Sequence, residues 1–152
     1  MTRLSSLIVL LMFTVGCATQ SPAQTHQLEF RPASYEPSPG SVAFQDPNEP
    51  RTVYVSPSPI ITHKDIRSAK QTTQPQTDAP AIQLELKEAA GDRMYEYTRN
   101  HIRKPIAIVL DGALLSAPTV MSTLRTQLMI IGGPEGLTPD QVQHILDAIN
   151  PK

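Results

Sequence analysis

"KPIAIVLDGALLSAPTV", residues 104–120, sets two apolar runs on either side of Asp111-Gly112. A two-residue Asp-Gly link between such runs is a strong hairpin signal. A type I′ turn needs positive φ at both central positions, and these residues tolerate it. The pairing then places Leu110 opposite Ala113, Ile108 opposite Leu115 and Ile106 opposite Ala117. That face is wholly apolar. The other face, with Ala107, Val109, Leu114 and Ser116, is mostly apolar. Pro118 ends the second strand because it has no N–H for a ladder. Asp111 is therefore read as a turn residue, not a catalytic carboxylate.

Working outward, "TVYVS" at 52–56 and "AIQLEL" at 81–86 alternate as strands do. Between them Thr62 begins a capping box closed by Asp65, with Ile61 and Ile66 as a hydrophobic staple. The pattern predicts a short helix from there to Lys70, followed by a polar loop. Residues 88–103 switch to helical spacing, with Met94, Thr98 and Ile102 four apart and Tyr97 and His101 beside them. Gly91 costs that helix about 1 kcal/mol relative to Ala, which points to close packing on the sheet. "QLMII" at 127–131 is a last strand. Thr138, Pro139 and Gln141 then form the best helix start in the chain, and Val142, Ile145, Leu146 and Ile149 line its buried side. The fold class expected is α+β: a mostly antiparallel sheet with helices packed on one face, preceded by a disordered tether.

The N-terminal part differs. Arg3, the apolar run from Leu7 to Val15 and Thr14-Val15-Gly16-Cys17 form a secretory signal. The last four residues resemble a bacterial lipobox. In that family of signals the chain is cut before the Cys, which is lipidated. The reading is a signal peptide over 1–16, lipidation at Cys17 and a membrane anchor. By resemblance to known sorting rules, Ala18 favours the outer membrane, facing the periplasm. Residues 17–50 are read mainly as a tether, because Pro22, Pro32, Pro37, Pro39, Pro47 and Pro50 interrupt any period and apolar residues are few. About 35 residues would span on the order of 30 Å as a coil and roughly 100 Å as polyproline. "HQLEF" at 26–30 is the one piece that could form a strand. The globular domain is placed at 51–152.

The run from "ITHKDIRSAK" to "LTPDQVQHILDAI" resembles the periplasmic head subdomain of SecD, an accessory subunit of bacterial protein export. The resemblance rests on Thr62, Thr98-Arg99, Lys104-Pro105, Ala107 to Gly112, Ser116 to Pro118 and Leu137-Thr138. It covers about ninety residues. "EPSPG" at 36–40 and "VYVSPSPIIT" at 53–62 further resemble small secreted or membrane-attached proteins that carry this module alone. Arg103 stands where the family usually has Gly, so a differently built helix end is expected. "TVMSTLRTQLMI" is more apolar than the family segment. SecD couples export to proton flow through transmembrane helices. None is recognisable here, so the resemblance does not carry motor function. It implies contact with emerging polypeptide.

Several functions are disfavoured. Net charge is −1, aromatics are 5% and Trp is absent, so neither a basic field nor a stacking platform favours nucleic acid. A single Cys allows no internal disulfide. His26, His63, His101 and His144 are scattered, with no metal spacing, and are read as solvated or packed. Glu85, Glu88 and Asp92 lie near a strand-to-helix junction, where a helix N-terminus favours acids. "IGGPEG" lacks the Lys of a phosphate loop. No cofactor, metal or catalytic residue is expected. The leading function is a noncatalytic, lipid-anchored module that contacts unfolded polypeptide or an envelope protein. The alternatives are a structural or regulatory adaptor and an unrecognised hydrolase. Val109 and Leu114 mark the possible peptide-contact face, because two helices cover only one side of the hairpin. The other side needs the N-terminal segment, a second copy or a partner.

Overall fold

A computed structural model describes residues 26–150. The expected signal peptide over 1–16 and the expected lipidation site Cys17 lie outside the described residues. The strands are β1 (Leu28–Ser34), β2 (Val42–Gln45), β3 (Thr52–Val55), β4 (Ile61–Thr62), β5 (Ile66–Thr73), β6 (Pro80–Leu86), β7 (Ile106–Leu110), β8 (Ala113–Ser116) and β9 (Gln127–Ile131). The helices are α1 (Glu88–Asn100) and α2 (Pro139–Ile149). All strand pairs are antiparallel. One sheet runs β2-β3-β1-β7-β8, with β4 also on β1, and the other runs β5-β6-β9. The α+β expectation is met: antiparallel sheets and two helices share one main core.

The folded part begins well before residue 51. β1 lies at the centre of the larger sheet, pairing Leu28 with Leu110, Phe30 with Ile108 and Pro32 with Ile106. Leu28 and Phe30 are buried in the main core. A count of prolines misses this, because Pro32 sits where its lost N–H matters least. On that side β1 changes partner, from β4 at Glu29-Phe30 to β3 at Ala33-Ser34. The Pro32 carbonyl still accepts the Ser56 N–H at 2.9 Å. Only the stretch before Leu28 is left for a tether.

The hairpin forms as its turn demands, with φ of 51° at Asp111 and 81° at Gly112. Its register differs by one inserted residue. Val109 faces Leu114 but Ile108 faces Ser116, which leaves Leu115 as a bulge. Leu115 joins the main core with Ile108, while Ala117 turns to the opposite side with Val109.

That opposite side is closed. Val53 and Val55 of β3 pack on Ala107, Val109 and Ala117, with Ala33, Phe44 and Leu114 around them. The N-terminal strands thus cover the hairpin face that the two helices leave.

The segment after Thr62 is a strand rather than a helix. Thr62 and Asp65 do form the capping box, but around a single 3-10 turn, His63–Asp65. Ile66 then enters β5, which pairs with β6 over its length. Only Ile66 is buried in β5, so no helical stripe exists to keep the turn winding. The helix from 88 stops at Asn100, and Ile102 is exposed. Beyond it Arg103 adopts φ 66°, the conformation a glycine would take, and its N–H reaches the Val120 carbonyl at 2.8 Å. The chain end of α1 is therefore left-handed without a glycine. Gly91 packs closely, though on the loop before β9 rather than on the sheet: a Cβ there would lie 2.7 Å from Thr126 Cγ2.

Thr98 is fully buried in α1. Its hydroxyl donates to the Met94 carbonyl at 2.8 Å and accepts the Leu124 N–H at 3.0 Å. It fixes the loop that delivers β9 to β6. The last helix starts as the sequence predicts: Thr138 and Gln141 close the capping box, and Pro139 opens the helix. Its buried side differs: Val142, Ile145 and Ala148 are buried, while Leu146 and Ile149 are half-buried against the core.

Candidate functional site

Val109 is 2% exposed beneath β3, and Leu114 is half-buried at the rim of the same cluster. The face they carry is therefore not an open contact surface. Its cover is Val53 and Val55 of β3, which the sequence did mark as a strand, together with Ala33 and Phe44 from the segment expected to be a tether. The face looked bare because β3 reaches it only by pairing with β1, which lies in that segment.

Unpaired strand edges lie at the ends of both sheets, with β2, whose Val42 is exposed, at one end of the larger. β5 and β9 are the two ends of the smaller sheet, and no strand pairs with their far sides among the described residues. The two differ in chemistry. β5 carries Arg67 and Lys70, and Arg67 pairs with Glu85 at 3.1 Å. Charges of this kind blunt an edge against further pairing. A crevice of about 380 Å³ beside it is lined by Ser68, Lys70, Gln83, Glu85 and Gln127. β9 has no charged residue. Leu128 and Ile130 point into the core, while Met129 and Ile131 point outward at 43% and 42% exposure. It is an uncharged edge strand with two large apolar side chains in solvent.

A second grouping lies at the hairpin tip. The Asp111 main chain folds against the residues just before β1: its N–H donates to the Gln27 carbonyl at 2.9 Å. In return the Gln27 N–H donates to Asp111 Oδ1 at 2.7 Å. Asp111 Oδ2 lies 2.8 Å from His26 Nδ1 and 3.6 Å from His144 Nδ1 on α2. The two imidazoles stack, with centroids 4.3 Å apart and planes 22° from parallel. Burial pushes the Asp111 carboxyl up. The Gln27 amide, the His26 hydrogen bond and the charges of both histidines outweigh it, so the group sits below the ordinary carboxylate range.

Asp111 is thus a turn residue, as its backbone requires, and also the centre of a three-residue cluster. Sequence reasoning missed the cluster because its members come from three segments with no shared spacing. The positive φ of Asp111 was legible; the return of His26 across β1 to meet it was not. The remaining candidates have structural surroundings. His101 stacks on Tyr97 at 4.0 Å and contacts the Tyr97 carbonyl. His63 lies in the 3-10 turn. Asp92 pairs with Arg125 at 2.7 Å, and Glu88 lies in the first turn of α1. Gly133 and Gly136 bridge one another across a tight loop.

Comparison with known proteins gives a consistent result. Residues 41–147 match the family described as SecDF, P1 head subdomain. The chain is similar to the protein translocase subunit SecD of Rhodobacter capsulatus, 36% identical over 75 residues, covering 49% of this chain and 13% of that protein. Against SecD of Thermobaculum terrenum it is 28% identical over 107 residues, 66% of this chain and 20% of the relative. Against SecD of Aquifex aeolicus it is 33% identical over 78 residues, 51% and 15% respectively. The chain thus spans a fifth or less of these relatives. A solved SecDF structure, described as a membrane component that enhances protein export, shares the fold with TM-score 0.61 at 20% identity, covering 83% of this chain and 62% of that one.

Proposed function

The chain belongs to the SecDF P1 head subdomain family, and from that premise we propose that it is a noncatalytic binding module of the bacterial cell envelope. It is held to a membrane by lipid on Cys17 and takes extended, unfolded polypeptide along the open side of β9. The observation that carries this reading is β9 itself. Met129 and Ile131 stand in solvent on a strand whose far edge is unpaired. An extended chain added there gains main-chain hydrogen bonds with little demand on its sequence, and the two side chains supply apolar contact. The guarded charges of β5 make that edge the poorer choice. The SecD relatives are protein translocase subunits, and the proposed place of action is protein export on the periplasmic side, with the lipid in the outer membrane. The lipobox-like residues and Ala18 support the anchor. Extended at about 3.3–3.6 Å per residue, the link from Cys17 to Leu28 reaches no more than about 40 Å, so the module works close to its membrane.

The test is titration of the purified full chain with an unfolded polypeptide, alongside Met129→Glu and Ile131→Glu. Weak, sequence-tolerant association without turnover is expected, falling several-fold in both variants while their unfolding midpoints stay near wild type. Val109→Ser serves as the contrast: it lowers stability through the buried cluster and leaves affinity of the folded fraction unchanged. No association by a folded monomer overturns the reading in favour of an adaptor for a folded envelope protein.

A further inference from the structure

We propose that His26, Asp111 and His144 form a binding site for a divalent first-row transition ion of the Zn²⁺ type. One ligand atom from each residue can be chosen so that all three lie within 4.8 Å of one another. Four ligands held tetrahedrally at 2.0–2.1 Å lie about 3.4 Å apart. The Asp111 Oδ2 separations of 2.8 Å and 3.6 Å bracket that value.

The supporting contacts suit the role. Asp111 Oδ1 is occupied by the Gln27 N–H, which orients the carboxylate and leaves Oδ2 as the atom shared between both rings. The backbone bond from Asp111 N–H to the Gln27 carbonyl holds the turn in place from the other side. The two rings are stacked 4.3 Å apart and 22° from parallel, so one of them has to turn out of the stack for both in-plane lone pairs to meet one ion. Side-chain exposures of 19%, 35% and 47% for His26, Asp111 and His144 leave an entry path for an ion.

The donor set selects the class of ion. Two imidazoles and one carboxylate are borderline nitrogen and oxygen ligands, which suit Zn²⁺, Cu²⁺ and Ni²⁺. Ca²⁺ needs six or more oxygens, which the cluster does not offer. Cu⁺ favours thiolate or thioether sulfur, and none belongs to the cluster. Three protein ligands leave a fourth position for water. The three residues lie on the approach to β1, on the hairpin turn and on α2. A bound ion therefore cross-links the point where the chain enters the domain to the sheet and to the last helix. Because the ion binds only the folded arrangement, it stabilises that arrangement by mass action. His26 lies outside the residues that match the family.

The experiment uses the full chain, purified without a polyhistidine tag and stripped with a chelator, then titrated with ZnCl₂ by calorimetry. One equivalent should bind and raise the unfolding midpoint. Co²⁺ should give the visible absorption of a four- or five-coordinate site. His26→Gln, His144→Gln and Asp111→Asn should each weaken binding at least tenfold with the circular dichroism spectrum unchanged. Binding that survives in the His26→Gln/His144→Gln double variant, or no heat and no midpoint shift at millimolar Zn²⁺, overturns the proposal. Zinc X-ray absorption on the wild type reads the site independently of any variant: a shell with two imidazoles is expected, and one with none refutes it.

Discussion

Gly91 stands so close to Thr126 that a methyl group at its Cα would lie 2.7 Å from Thr126 Cγ2 and 3.4 Å from the Arg125 carbonyl. Helix propensity alone would reward Gly91→Ala by about 1 kcal/mol, while overpacking costs about 1–3 kcal/mol. The variant should therefore be less stable than wild type by urea unfolding. In a Thr126→Ser background, which removes Cγ2, the same change should become neutral or stabilising. A stabilised single variant would mean that the loop before β9 yields freely.

Arg103 offers the reverse experiment. Its left-handed φ of 66° costs a side-chain-bearing residue about 1–2 kcal/mol. Glycine removes that strain but adds about 0.5–1 kcal/mol of unfolded-state entropy. Arg103→Gly should gain about 0.5–1 kcal/mol, read as a higher urea midpoint with unchanged slope.

Thr98 is a buried hydroxyl with two jobs. Thr98→Val preserves volume but leaves the Leu124 N–H without its partner, at a cost of about 1–3 kcal/mol. Thr98→Ser keeps the hydroxyl and should cost less, about the 0.8 kcal/mol of one methyl plus any void. The order of the two unfolding midpoints, serine above valine, is the result to check.

Asp65 predicts part of the acid limb. Burial raises its carboxyl, but the Thr62 N–H, the Arg93 hydrogen bond and the Arg93 charge outweigh burial and hold it below the ordinary range. Its Oδ1 lies 2.6 Å from Arg93 Nη2. A depressed folded pKa gives stability that is fully present above the unfolded value of about 3.9 and is lost as pH falls through the folded one. Wild type should lose more stability than Asp65→Asn between about pH 5 and pH 2. Parallel curves for the two proteins would contradict the assignment.

Cys17→Ser tests the anchor. Wild type should incorporate a fatty-acid analogue in bacterial cells and the variant should not, and the variant should retain its signal segment or leave the membrane fraction. Equal labelling of both proteins would reject lipid attachment at this residue.

What the sequence disclosed and what it hid divide along one physical line. Local signals held. Asp111-Gly112 demanded the turn, Thr138-Pro139 with Gln141 demanded the start of α2, and alternation marked β3 and β6. Long-range pairing was opaque. Leu28 and Phe30 look stranded in a proline-rich segment until β7 is beside them. The bulge at Leu115 is invisible because Leu114, Leu115 and Ser116 fit either register equally well. Thr62 and Asp65 announce a helix start, yet nothing local says that Ile66 will be captured by β6 after one turn. The metal candidate was hidden for the same reason: its three residues meet only after the chain has closed on itself.

The place of β1 also bears on the order of events as the chain is made. Leu28 is synthesised early, but its partner Leu110 follows about 80 residues later. Until then the central strand of the larger sheet has unpaired hydrogen-bonding groups toward β7, and β3 alone cannot complete the layer. Closing so long a loop is entropically costly and slows folding relative to local hairpins. The nascent domain therefore has a built-in delay, with Leu28 and Phe30 bare throughout it. During that interval the protein is itself an unfolded polypeptide of the kind its finished form is proposed to hold.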